Sequence, residues 1–196
     1  MRAVRRVAGR AVPLDRSDVD TDQIIPAHWL KRVERTGFGA GLFEAWRGPG
    51  FPLDDPRHAG AVVLVAGPNF GVGSSREHAV WALADAGIEA VVSPRFGDIF
   101  RTNAAGNGLV CVQVEPDVGR RLLDAVAADP TIEVVVDVEA RRLVAEGAGV
   151  DVAFPLDAGT RRRLLEGLDD VALTLAAADA IAAHEAARPP WMPAVR

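Results

Sequence analysis

The sequence is almost empty of cysteine: Cys111 is the only one in 196 residues. An intrachain disulfide is therefore excluded, and a cluster held by several thiolates cannot be assembled from this chain alone. No segment has the unbroken apolar run that a membrane-spanning helix needs. The basic opening, Met1 to Arg10, lacks both the apolar stretch and the small-residue cleavage site of a secretory leader, so a cytoplasmic address is expected. Excess positive charge is missing as well. The formal net charge is -5, with acidic and basic residues interleaved, so the basic surface that a phosphate backbone requires is absent and nucleic acid is not the expected partner. Internal repeats and low-complexity tracts are also lacking, which excludes solenoids and predominantly disordered chains.

With 49% hydrophobic and 25% charged residues, the chain has the composition of an ordinary globular protein, long enough for one compact domain with a modest appendage. Val4 to Pro13, apolar and broken by arginines, predicts an edge strand that runs into an acidic turn, Asp15 to Asp22. From His28 to Pro56, glycine and proline crowd among aromatic residues and predict a long mobile loop. Ala61–Ala66 reads as a fully buried strand, followed by a helix that begins near Arg76, carries Ala79, Val80, Leu83 and Ala84 at helical spacing, and stops at Gly87. Strand at Ile88–Val92, helix at Asp98–Ala105, strand at Leu109–Val114 and helix from Pro116 to Ala128 continue the alternation, which implies an α/β layer. A hairpin (Ile132–Val138 with Arg142–Ala145) and a short strand, Val152–Phe154, complete the body. The tail is helical in pattern from Thr160, alanine-rich from Asp170 to Ala187, and leaves the helix at Arg188-Pro189-Pro190-Trp191.

Chemistry concentrates in Gly67-Pro68-Asn69-Phe70-Gly71-Val72-Gly73-Ser74-Ser75-Arg76-Glu77-His78-Ala79, between a buried strand and a helix start. Such loops bind ligands in α/β folds; glycines allow close backbone approach, and the N–H groups of a helix N-terminus suit an anion. A purely structural reading competes, since Ser74 and Glu77 have the spacing of a capping box. Nucleotide signatures fail: Gly73 is followed by serine where a phosphate loop needs lysine, and Gly71-Val72-Gly73 lacks the third glycine of a dinucleotide fingerprint. His78 has no companion at metal-pair spacing and reads as structural, while His28, His58 and His184 are scattered, so no intrinsic metal site is expected. The acidic run Asp18-Val19-Asp20-Thr21-Asp22 lacks the glycine and closing glutamate of a calcium loop and reads as a turn or a substrate-positioning element.

Taken together, Asp18-Val19-Asp20-Thr21-Asp22-Gln23-Ile24-Ile25-Pro26-Ala27 and Gly73-Ser74-Ser75-Arg76-Glu77-His78-Ala79 resemble the small swivelling domain of the aconitase superfamily. Trp29-Leu30-Lys31-Arg32, Arg35-Thr36-Gly37-Phe38-Gly39 leading to Leu42-Phe43, and the Arg188-Pro189-Pro190-Trp191 ending narrow the resemblance to the small-subunit family of bacterial 3-isopropylmalate dehydratases, over nearly the whole chain. The resemblance implies a three-layer β/β/α swivelling domain at 1–157 with a C-terminal helical extension at 158–196 packed on it. It implies a hydro-lyase that interconverts 2- and 3-isopropylmalate by loss and return of water in leucine biosynthesis. It further implies a partner large subunit bearing a [4Fe-4S] cluster, with a homodimer possible for the isolated chain.

By the same resemblance Ser74 is the base and Arg76 the carboxylate ligand. Ser75 orients the carboxylate or the loop, Asp20, Thr21 and Asp22 steady the facing turn, and Leu30, Lys31 and Arg32 line the wall that reads the substrate's side group. Two other readings remain open at this level: the small subunit of a sister dehydratase acting on homoaconitate, citraconate or a methylmalate, and a non-catalytic binding module on the same fold.

Overall fold

The computed structural model describes residues 1–34, 36–189 and 191, and within them seven strands form one mixed sheet in the order β4-β3-β2-β1-β5-β6-β7. The strands are β1 Arg6–Leu14, β2 Val63–Ala66, β3 Ala90–Ser93, β4 Val110–Gln113, β5 Glu133–Asp137, β6 Arg142–Ala145 and β7 Val150–Ala153. Nine-residue β1 serves two partners: Ala11–Leu14 pairs parallel with Val63–Ala66, and Arg6–Arg10 pairs antiparallel with Glu133–Asp137. The first strand is thus central, contrary to its edge-strand reading. Its arginines mark alternation and not a free edge, since Arg6 faces solvent while Val7 and Ala11 are buried.

Between and after the strands lie α1 Thr21–Ile24, α2 Glu77–Asp85, α3 Asp98–Asn107, α4 Pro116–Ala128, α5 Ala158–Glu166, α6 Asp170–Leu175 and α7 Ala178–Ala186. Two cores define the layers. Val63, Val65, Ala90, Val92, Val110 and Val112, on one face of the parallel strands, share a core with Leu122, Leu123 and Val126 of α4 and with Val134, Val136 and Leu143 of the antiparallel strands. Leu64, Ala66 and Val91 turn to the opposite face and pack with Ala79, Val80 and Leu83 of α2 and Phe100 and Ala104 of α3. This is a sheet-on-sheet-on-helix arrangement, and both faces of the parallel strands are covered, which is why those strands read as continuous apolar runs.

The segment from His28 to Pro56 departs from its mobile-loop reading. It folds as successive single turns at Ala27–Lys31, Phe38–Gly41, Glu44–Trp46, Pro52–Asp54 and Pro56–His58, and it buries Phe38, Leu42 and Phe43 completely. Two of its glycines serve packing: a Cβ on Gly41 would lie 2.4 Å from the Trp29 ring, and one on Gly39 would lie 3.0 Å from the Ala86 backbone. In α3, Gly106 lies inside the helix, which ends only at Gly108 with φ 79°. The alanine-rich tail is helical as its pattern implies, in two short pieces. Neither α6 nor α7 buries a residue, so no apolar core holds them on one axis. Pro190, in the motif of the ending, lies outside the described residues. Among the described residues no helix is long and apolar enough to cross a membrane.

Pro116 at the first turn of α4 and the apolar stripe of Leu122, Leu123 and Val126 explain why that helix starts and faces as it does. Leu122 is fully buried beneath the sheet. Leu122→Ala should lower unfolding free energy by about 2–5 kcal/mol in denaturant titration; a change under about 0.5 kcal/mol would contradict this layer assignment.

Candidate functional site

The parallel register places the site. Leu14 pairs with Ala66 and Ser93 with Gln113, so β1, β2 and β3 release their chains at the same edge of the sheet, the carboxyl edge where open α/β sheets bind ligands. The acidic turn after β1, the glycine loop after β2 and the Pro94–Gly97 turn after β3 consequently meet.

The glycine loop is clamped on both flanks. On one, Gly71 N–H and Val72 N–H donate to Val19 C=O at 2.8 and 3.2 Å, and Thr21 N–H donates to Val72 C=O at 3.0 Å. Asp18 N–H donates to Pro68 C=O at 2.9 Å, while Asn69 Nδ2 donates to the Asp18 carboxylate at 2.7 Å, a bond that holds the Asp18 pKa below the usual carboxylate value. On the other flank, Phe70 N–H donates to Arg95 C=O and Gly97 N–H donates to Phe70 C=O, at 3.0 and 2.9 Å. The buried Ser93 hydroxyl lies 2.8 Å from Gly67 C=O beneath the loop. Gly71 has φ 73°, and a Cβ there would lie 2.3 Å from the Phe100 ring, so both conformation and space demand glycine.

Between these clamps Ser74 and Ser75 stand exposed, and Arg76 is half-buried at the N-cap position of α2. The Ser74–Glu77 capping box is not formed. The helix begins at Glu77, two residues too late for Ser74 to cap it, and the Glu77 carboxylate accepts from Asn107 Nδ2 at 2.8 Å. The reciprocal box occurs in the acidic turn: Asp20 Oδ1 accepts from Gln23 N–H at 2.8 Å and Gln23 Oε1 accepts from Asp20 N–H at 2.9 Å, capping α1. Thr21 Oγ1 then donates to Ser74 C=O at 3.0 Å, and Arg76 Nη1 donates to the Asp22 carboxylate. Asp20, Thr21, Asp22, Ser74 and Arg76 are thus brought together.

Leu30, Lys31 and Arg32 are placed differently. Leu30 is half-buried and the other two are exposed. The Arg32 guanidinium stacks 5.3 Å from the Trp29 ring and 5.7 Å from Phe38. Phe38 in turn meets His78 and Trp81 of α2 at 5.3 and 5.7 Å, and its N–H donates to Asp85 at 2.8 Å. This segment is therefore fastened along the flank of α2, through the aromatic cluster that also absorbs His78. Arg35 lies outside the described residues. Asn107 escaped the sequence reading: it joins α3 to α2 by accepting from Trp81 Nε1 at 3.0 Å while donating to Glu77. Its signal is a contact between residues far apart in sequence, which no local pattern carries.

Metal-ligating chemistry does not converge here. Among the described residues, no group of three or more His, Cys, Asp or Glu side chains could hold a metal ion. Cys111 is half-buried on the wall of a separate cavity of about 220 Å³ with Arg101, Gln113 and Thr160, and burial pushes its thiol up to about 12. A single cysteine cannot supply the several thiolates that hold an iron–sulfur cluster.

Residues 1–117 match the aconitase C-terminal domain family, and residues 170–195 match the family of the C-terminal domain of the 3-isopropylmalate dehydratase small subunit. A 3-isopropylmalate dehydratase small subunit from Parafrankia sp. (strain EAN1pec) is 63% identical over 186 residues, 94% of each chain. Its counterpart from Rubrobacter xylanophilus is 54% identical over 196 residues, the full length of both. Among solved structures, the crystal structure of 3-isopropylmalate dehydratase from Methanocaldococcus jannaschii is similar with TM-score 0.68 and 28% identity, covering 92% of this chain and 99% of that one.

The demand for glycine at 71 yields a direct check. Gly71→Ala should lower the thermal midpoint measurably and loosen the loop, read as faster amide hydrogen exchange from Val72 to Arg76. Unchanged stability and exchange would show that the clamp does not depend on this position.

Proposed function

The chain belongs to the 3-isopropylmalate dehydratase small subunits of the aconitase superfamily, and from that premise we propose that its exposed Ser74–Arg76 loop is one half of an active site completed by a large subunit. The reaction is the isomerisation of 2-isopropylmalate to 3-isopropylmalate by dehydration and rehydration. Relatives named for 3-isopropylmalate dehydratase favour this substrate over the homoaconitate, citraconate and methylmalate alternatives, and over a non-catalytic module. The observation that carries the reading is a serine hydroxyl free of any helix-capping duty, two residues from a half-buried arginine, on a loop clamped from both sides.

Dehydration requires removal of a weakly acidic C–H proton beside a carboxylate while hydroxide leaves. Ser74 takes that proton and returns it at the neighbouring carbon on rehydration, its alkoxide held by surrounding N–H groups and cationic side chains. Arg76 grips a substrate carboxylate through its planar fork, which a lysine cannot reproduce. Ser75 orients the same carboxylate. Asp20 and Thr21 act through the backbone, one by capping α1 and the other by holding Ser74 C=O. Leu30 supplies an apolar wall for the isopropyl group, with Lys31 and Arg32 as flanking cations.

The [4Fe-4S] cluster would be carried by the large subunit, where it would supply Lewis acidity toward the departing hydroxyl. The donor set here supports that division, because one half-buried thiol cannot anchor a cluster that needs several thiolates. Residues 1–157 then form the swivelling unit, with 158–196 as its helical extension, and α5 docks to the body through buried Leu164, whose C=O accepts from Val4 N–H at 2.7 Å.

The test is anaerobic turnover of 2-isopropylmalate by this chain mixed with a cluster-loaded large subunit, with each component also assayed alone. Activity is expected only in the mixture. Ser74→Ala should lower kcat at least about 100-fold, the scale of a lost acid–base group, with binding to the large subunit intact; turnover near normal would remove Ser74 from the chemistry. Arg76→Lys should raise KM about tenfold or more, and an unchanged KM would reject the bidentate role.

A further inference from the structure

The acidic turn brings three carboxylates to the glycine loop, and their partners separate them. Asp18 is occupied by Asn69, and Asp20 is committed to the cap of α1. Asp22 is the one that reaches Arg76, accepting from Nη1. The reach follows from the register of the two segments: Asp20 bridges Val72, Thr21 donates to Ser74 C=O, and Asp22 meets Arg76. Consecutive residues on one side thus face every second residue on the other.

A carboxylate has no proton to offer a dianionic substrate and repels it, so direct substrate contact is a poor use of Asp22. Its contact with Arg76 has a clear use. A guanidinium can meet a carboxylate bidentately along its Nη1–Nη2 end or its Nε–Nη2 side. With Nη1 engaged, the Nε–Nη2 side is the edge without a protein acceptor among the described residues. The Arg76 side chain is only 17% exposed, so its stem is confined, whereas Asp22 is 51% exposed and lies toward solvent.

We propose that Asp22 is a positioning residue that fixes which edge of the Arg76 guanidinium is presented to the substrate carboxylate, holding Nη1 so that Nε and Nη2 receive it. The proposal rests on the reading that Arg76 binds that carboxylate, and it gives Asp22, which steadies the facing turn, an action through Arg76.

Full-length chain reconstituted with its large subunit supports the test, a double-mutant cycle in steady-state kinetics with 3-isopropylmalate. Asp22→Ala should raise KM about tenfold, the scale of one charge-assisted hydrogen bond, without change in the thermal midpoint or in affinity for the large subunit. Asp22→Ala should have no further effect in the Arg76→Lys background, because the fork it positions is already gone. A fall in KM on Asp22→Ala would overturn the proposal and make Asp22 a competitor for Arg76. Additive losses in the double variant would overturn it by showing independent action, and a loss that tracks stability or large-subunit affinity would reduce Asp22 to a structural role. If Arg76→Lys alone left KM unchanged, the carboxylate reading of Arg76 would fall first and the proposal with it.

Discussion

The site depends on a short stretch of backbone pairing between Val19–Thr21 and Gly71–Val72. Three hydrogen bonds of 2.8–3.2 Å join a turn that leaves β1 to a loop that leaves β2. Glycine at 71 is required for the pairing, since its left-handed backbone and contact with Phe100 leave no room for a side chain. The identities of Ser74 and Arg76 would mean little without it: an exposed loop ordered only on binding would lose rotational freedom at that moment, and catalysis would be weaker for it. Here that ordering is part of folding.

The pairing in turn depends on β1. Because its carboxyl half runs parallel to β2 and its amino half antiparallel to β5, one strand joins the site-bearing half of the sheet to the half that covers its other face. The parallel neighbours end together, which delivers three successive loops to one edge. The candidate site thus lies where the parallel strands finish. The aromatic segment from Trp29 to Phe43 follows the same logic at longer range: buried Phe38 and the ring contacts to His78 and Trp81 tie it to the helix that begins at the reactive loop.

Much of this was legible in local sequence. The valine-rich runs at Val63–Ala66 and Val110–Gln113, helix α4 with its proline start, the β5–β6 hairpin and the Ser/Arg loop each carry their own signal. What escaped depends on distant partners. Arginines in β1 suggested an edge because their neighbours, β2 and β5, come from far along the chain. Glycines between Gly37 and Gly50 suggested mobility, although Gly39 and Gly41 are small because other groups press against them. Ser74 and Glu77 had capping-box spacing, yet the box belongs to Asp20 and Gln23, and Arg76 finds its counter-ion 54 residues earlier in the chain. Local pattern reports what a residue can do, and tertiary pairing decides which of those options it takes.

The measurement that bears most directly on the central claim is an anaerobic crystal structure of the complex of this chain with its large subunit and bound 2-isopropylmalate. The account predicts the Arg76 guanidinium on a substrate carboxylate, with Ser74 Oγ in contact with the carbon that exchanges its proton. A substrate enclosed by large-subunit residues alone, with Ser74 and Arg76 turned to solvent, would contradict it.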